Sequence, residues 1–455
     1  MSAIPGAIDP EQSPPLTIPL RHFLVGLVFL LLGAGLGALQ SLDGGLLPGD
    51  GHLAYVHLLL AGWICVTIMG AMTQFVPVWS GVVLHSRRLA TAQLWMVSVG
   101  LIALVVALLV GAYGWLPLGG LVLLAGFWLF VYNLGRTLLV ARPWDITERH
   151  FTLALGFFLL LTTLGAALAA GFTRPIFREL PVTQGSVRMA HATLALYGTV
   201  LMTIFGALYQ LGTMFTQSSL HGIDHWIRRF EATGFPVGVL ALAGGRLFEL
   251  EALAQVGAML VVLTVLAFSL LLARRLYEAQ VPWTPMLSRY VVLTVAMATW
   301  ALWSLPTWIH RPLAPDTLFG PPGAFSLFVL GIVGFVVLGT LYHIIPFIIW
   351  VHRYSDRLGL EDVPMIDDLY DERIAVADLV CFTAGLAFLV GADGFAVPGP
   401  VSVLGSVLVT AGVVLFGTNM LLVIRRHSPH SLPGIVSERF RTTERVSGDS
   451  GSTRS

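Results

Sequence analysis

The chemistry available to this chain is concentrated in its thirteen histidines. Three of them interrupt otherwise apolar runs: His57 in AYVHLLLAGW (54–63), His191 in MAHATLALYG (189–198) and His343 in GTLYHIIPFIIW (339–350). A neutral imidazole offers a nitrogen lone pair suited to iron or copper. In apolar surroundings such a ring either finds a hydrogen-bond partner or holds a metal. The other histidines read more simply. His22 and His150 follow arginines at the starts of apolar runs and fit interfacial anchors. His85, His221, His225 and His352 lie in or beside arginine-bearing loops and are expected to be solvated. His52 and His310 stand at the opposite ends of their runs, where they could approach a cofactor edge.

Other chemistry is sparse. Asp378, in IAVADLVCF, is the clearest ionisable group inside an apolar run, and such carboxylates are functional candidates by default. Lying one turn from the start of its run, it is placed within reach of the interface. Arg246, Glu249 and Glu251 read as a short turn between two helices, and the acidic stretch EDVPMIDDLYDER (361–373) as a solvated connection. Gln74, Gln210 and His343 form a candidate polar ring. The two cysteines, Cys65 and Cys381, are far apart and give neither a disulfide framework nor a CxxC metal site. No phosphate-binding loop, GxSxG or zinc motif is present.

These residues must be positioned by elements that suit lipid. The chain has 455 residues, 56% hydrophobic and 11% charged, where a soluble domain carries roughly 25% charged residues. Apolar runs long enough to cross a bilayer recur from end to end, which predicts an all-α polytopic membrane protein. About twelve helices are expected, over 22–41, 54–79, 89–112, 116–140, 150–171, 187–214, 232–248, 251–276, 289–308, 323–350, 374–392 and 399–424. Residues 1–19 read as a disordered tail, 20–427 as a single transmembrane domain, and 428–455 as a disordered cytoplasmic tail. All 25 basic side chains are arginine and the net charge is zero, which offers nothing to a nucleic acid. With both termini in the cytoplasm, twenty arginines fall on inside segments. Five (Arg174, Arg178, Arg188, Arg246 and Arg311) fall outside. That asymmetry predicts the orientation in the cell membrane.

A pattern recurs along the chain. TIMGAMTQFVP (67–77) in helix 2 matches TIFGALYQLGT (203–213) in helix 6 and LGTLYHIIP (338–346) in helix 10, aligning Gly70, Gly206 and Gly339. Arg21-His22-Phe23, Arg149-His150-Phe151 and Arg289-Tyr290-Val291 open helices 1, 5 and 9. LFVYN (129–133) and LFGTN (415–419) recur in helices 4 and 12. The reading is a four-helix unit used three times.

A twelve-helix chain of three four-helix units, with GTLYHIIP in helix 10, resembles subunit I of the heme–copper oxidases, in particular C-family enzymes and nitric oxide reductases. The resemblance covers about residues 16–427. It implies haem ligands near the outer ends of even helices, 20 and 22 residues before the motif proline. Counting back from Pro77 gives His57, at the family's helix-2 haem position. Counting back 22 from Thr213 gives His191, where the family has a copper ligand on helix 6. In helix 10 the same positions are Ser326 and Ala324, and residues 231–250 contain no histidine. His343 lies far beyond the ligand level, at the inner end.

The resemblance therefore implies a haem-binding membrane protein with a redox or nitric oxide-related role, His57 and His191 as cofactor residues, and an electron-transfer or respiratory partner subunit. Copper is the second cofactor it implies. The incomplete ligand set argues against a complete oxygen reductase. A membrane haem protein of nitric oxide stress is one variant; a haem-free transporter or assembly factor on the same scaffold is the alternative.

Overall fold

The computed structural model describes residues 14–42, 49–397 and 399–437. Among these it is all helical, apart from one isolated β-bridge between Leu358 and Glu361. Twelve long helices follow one another: α1 Thr17–Leu42, α2 Gly51–Ser80, α3 Arg87–Leu109, α4 Tyr113–Val140, α5 Ile146–Gly171, α6 Gln184–Thr216, α7 Asp224–Leu247, α8 Glu251–Tyr277, α9 Pro285–His310, α10 Ala324–Arg353, α11 Glu372–Gly394 and α12 Gly399–His427. Eleven are long and apolar enough to cross a membrane. The other, α7, begins with the charged stretch DHWIRRFE, which lowers its apolar average. Leu32, Val99, Leu121, Leu240 and Val295 are among the large apolar side chains left exposed on the helices, as suits a lipid environment.

Helices α3/α4, α7/α8 and α11/α12 form the tightest neighbouring pairs, and α12 returns to pack on α1. Small residues allow this closeness. A side-chain carbon at Gly257 would stand 2.2 Å from the backbone nitrogen of Leu242, and one at Gly100 would stand 2.4 Å from that of Leu123. The interior belongs to α6 and α10, 83% buried over their most apolar windows, against 28% for α11.

The three helices α2, α6 and α10 share an irregularity. Each contains an eight-residue π-helical segment: Leu58–Cys65, Leu194–Leu201 and Leu327–Gly334. Their starts are separated by 136 and 133 residues, the spacing that also separates Gly70, Gly206 and Gly339. The widened turns shift the angular phase of everything beyond them, and such segments concentrate at functional places. The glycines in turn receive the helix starts singled out by sequence. A side-chain carbon at Gly70 would stand 2.5 Å from His22 Cβ, one at Gly206 2.6 Å from His150 Cβ, and one at Gly339 3.1 Å from Arg289 Cβ.

The expected tails need correction where they are described. The first helix already begins at Thr17, with Ile18 and Leu20 buried. Beyond residue 428 a short helix, α13 Leu432–Ser437, docks back on the bundle: Ile435 is buried and its carbonyl accepts a 2.7 Å hydrogen bond from Arg21 Nε. Residues 1–13 and 438–455 of the expected tails lie outside the described residues.

Candidate functional site

His57 is the last residue before the π segment of α2, and His191 stands two residues short of Thr193, the corresponding position in α6. Each ring is anchored by Nδ1 to a backbone carbonyl: His57 to Leu53 at 2.8 Å and His191 to Leu161 of α5 at 2.9 Å. A carbonyl oxygen only accepts, so the proton of each neutral ring sits on Nδ1 and the lone pair on Nε2. Gly165 makes room for His191: a side-chain carbon there would come within 2.9 Å of its Cε1. Two half-buried imidazoles, each oriented through Nδ1 by a carbonyl, have the donor arrangement that metal-ligating histidines use. The structure places both residues selected from sequence just ahead of a π segment, with registers that differ by two positions.

Further ligands are not gathered there. Among the described residues, no three His, Cys, Asp or Glu side chains converge on a common point. Ser326 immediately precedes the π segment of α10, and Ala324 is buried. Neither supplies a nitrogen. Helices α6, α7 and α10 instead contribute Tyr197, Arg246 and Phe328 to a packed aromatic cluster with Trp300 and Trp308 of α9. Arg246 reads from the sequence as part of the short turn between helices 7 and 8. It is buried, its guanidinium 5.1 Å from the Trp308 ring centre.

At the arginine-rich ends of the odd helices the interior holds two polar clusters. His150, expected as an interfacial anchor, is buried: its Nδ1 donates to the Ile146 carbonyl at 2.6 Å and its Nε2 faces both oxygens of Glu231 at 3.0 and 3.1 Å. Tyr209 donates to the same carboxylate at 2.7 Å. In the second cluster Arg289 pairs with Asp378, Tyr342 donates to the other oxygen of that carboxylate, and Asn419 donates to the Tyr342 hydroxyl at 3.2 Å. Asp378 is therefore enclosed, not interfacial. Burial costs a charge several kcal/mol, and only a partner in good geometry offsets it.

Two further buried polar residues, His22 of α1 and Gln93 of α3, are less satisfied. His22 is buried, with Nδ1 on the Ile18 carbonyl at 2.8 Å and Nε2 without a partner. Gln93 of α3 is fully buried, and neither amide atom finds one.

Sequence reasoning missed Glu231, which the charged run around Arg228 and Arg229 disguised as a loop residue. Of the expected polar ring, Gln74 is buried, with its Oε1 unpartnered. Gln210 is exposed, and His343 packs edge-on against Phe215 at 4.6 Å and parallel to Phe347 at 5.8 Å. The neighbouring Thr73, Tyr209 and Tyr342 are all buried. The expected solvated histidines His85, His221, His225 and His352 are exposed, as are His52 and His310.

A search of protein-family models finds none that matches this chain, and a search of curated proteins likewise finds no match.

Proposed function

We propose that the chain is a heme–copper-oxidase-like integral membrane protein with a redox or nitric oxide-related role, and that His57 and His191 are its cofactor residues. The observation that carries this reading is the pair of half-buried imidazoles, each anchored through Nδ1 to a backbone carbonyl just ahead of a π segment. Haem iron is the group the donor set suits, through the two Nε2 lone pairs; when bound it would supply one-electron chemistry. The protein's own part is to hold both rings in the ligating tautomer through the Leu53 and Leu161 carbonyls. It also keeps the site apart from bulk water. Copper on the same two nitrogens is the second form.

The test is the spectrum and metal content of protein purified from a haem-replete host. A Soret band is expected, lost in both His57→Ala and His191→Ala and kept in His343→Ala. Protein free of both haem and copper would overturn the reading. A conventional oxygen reductase is not proposed, because its two haems and copper need six histidine nitrogens and α7 and α10 offer none at the ligand level. Two haems and copper per chain, with cyanide-sensitive oxygen uptake, would contradict this.

A haem-free transporter is the second reading. It rests on Glu231 and Asp378, buried carboxylates that each bind groups from two other helices, a pattern found along ion and proton paths. We also infer that the bundle is three copies of a four-helix unit with both termini in the cytoplasm. Support comes from the common spacing of the π segments and their glycines, and from the arginine asymmetry.

A further inference from the structure

Arg246 lies at the arginine-poor end of α7, 1% exposed. Its Nε donates to the Pro312 carbonyl at 3.1 Å and its Nη1 to Thr193 Oγ1 at 2.7 Å. Both acceptors are neutral, and the Thr193 hydroxyl itself donates to the Met189 carbonyl. Nη2 has no partner, and among the described residues no carboxylate pairs with this guanidinium. Glu249 and Glu251, nearest in sequence, are exposed, and Glu249 accepts from Thr183. Arg311 pairs with Asp316 at the surface. The buried positive charge of Arg246 is thus held in place but not neutralised.

One more orphaned donor belongs to the same neighbourhood. Tyr197 is fully buried, its hydroxyl unpartnered, and it packs on Trp308 as Arg246 does. Its ring packs against Trp308 at 5.6 Å and Trp300 at 5.7 Å. Both indole N–H groups are engaged, donating to the carbonyls of Phe319 and Thr317.

A guanidinium offers only donors, and a buried one without a counter-charge is costly. The Tyr197 hydroxyl, on the same indole, can turn its proton toward an acceptor. We propose that Arg246, with Tyr197, forms an internal binding site for one small monovalent anion of halide size. The site is independent of His57 and His191.

The test uses the full-length protein in detergent, unfolded by heat in chloride or in gluconate at equal ionic strength. Chloride should raise the midpoint saturably. Tyr197→Phe removes one hydrogen bond to a charged partner and should weaken the apparent chloride affinity roughly tenfold. Arg246→Met should abolish the dependence. Because that variant may fail to fold, crystals of the wild type grown in bromide provide a second readout, with anomalous density expected against Arg246 Nη2. Insensitivity to chloride together with no bromide at Arg246 would overturn the proposal in favour of an internal water. So would an undiminished chloride effect in Arg246→Met.

Discussion

Arg289 and Asp378 meet inside the bundle from helices α9 and α11, both nearly inaccessible to solvent, with the Tyr342 ring 4.3 Å from the guanidinium carbon. Arg289 also donates to the Ala375 carbonyl, one turn before its partner. Each charge is compensated only by the other, so removing one leaves the second buried alone. Asp378→Asn or Arg289→Met should each destabilise the protein by about 3–5 kcal/mol. The double substitution should cost less than the two singles together. Unfolding in a denaturing detergent series measures all three; strict additivity would show that the pair does not couple.

Gly165 provides a separate handle on the histidine pair. A side-chain carbon there would stand 2.9 Å from Cε1 of the His191 ring and 3.4 Å from Nδ1, and the three nearest atoms all belong to that ring. Gly165→Val should therefore turn His191 away from His57 and lower haem or copper content, leaving helix content and the unfolding midpoint close to wild type. Unchanged cofactor content would separate His191 from the site.

The loop end of α8 carries a pH-dependent contact outside the membrane-spanning helices. The His221 ring meets the Glu278 carboxylate at 2.9 Å, and Arg275 approaches the same oxygen at 2.7 Å. The hydrogen bond with His221 and the charges of Arg275, His221 and Arg274 hold the Glu278 carboxyl below its usual range. A depressed folded-state pKa stabilises above the unfolded value of about 4.3 and is lost as pH falls through the folded value. Glu278→Gln should lower the melting temperature at pH 7 and have little effect once the wild-type carboxyl is protonated. Equal deficits at both pH values would show that the contact acts without its charge.

The orientation can be read with reporter fusions after Arg88, Arg229 and Arg357. All three should report the cytoplasm. An external reading at two of them would reverse the assignment.

The helices were legible because hydropathy over some twenty residues needs no tertiary information. Thr17–Leu42 and Pro285–His310 contain their expected ranges with a few residues to spare at each end. The start of α7 was not legible: Asp224 to Glu231 carries charges that find partners only in the fold, Asp224 with Arg274 and Arg275, Glu231 with His150. For the same reason His22 and His150 were taken for interfacial residues. A histidine beside an arginine looks solvated until a distant helix covers it. Where His57 and His191 face depends on how α2, α5 and α6 are phased, and the π segments that set this phase leave no periodic mark in the sequence.

The short C-terminal helix α13 gives the bundle a latch. α1 and α12 come from opposite ends of the chain, and their contact closes the arrangement. Ile435 is seated by the Arg21 side chain of α1 only eight residues after α12 ends at His427. The seam is therefore fastened by a segment synthesised after all twelve long helices. A ribosome that stops before Ile435 releases a bundle whose first and last helices touch but are not clasped.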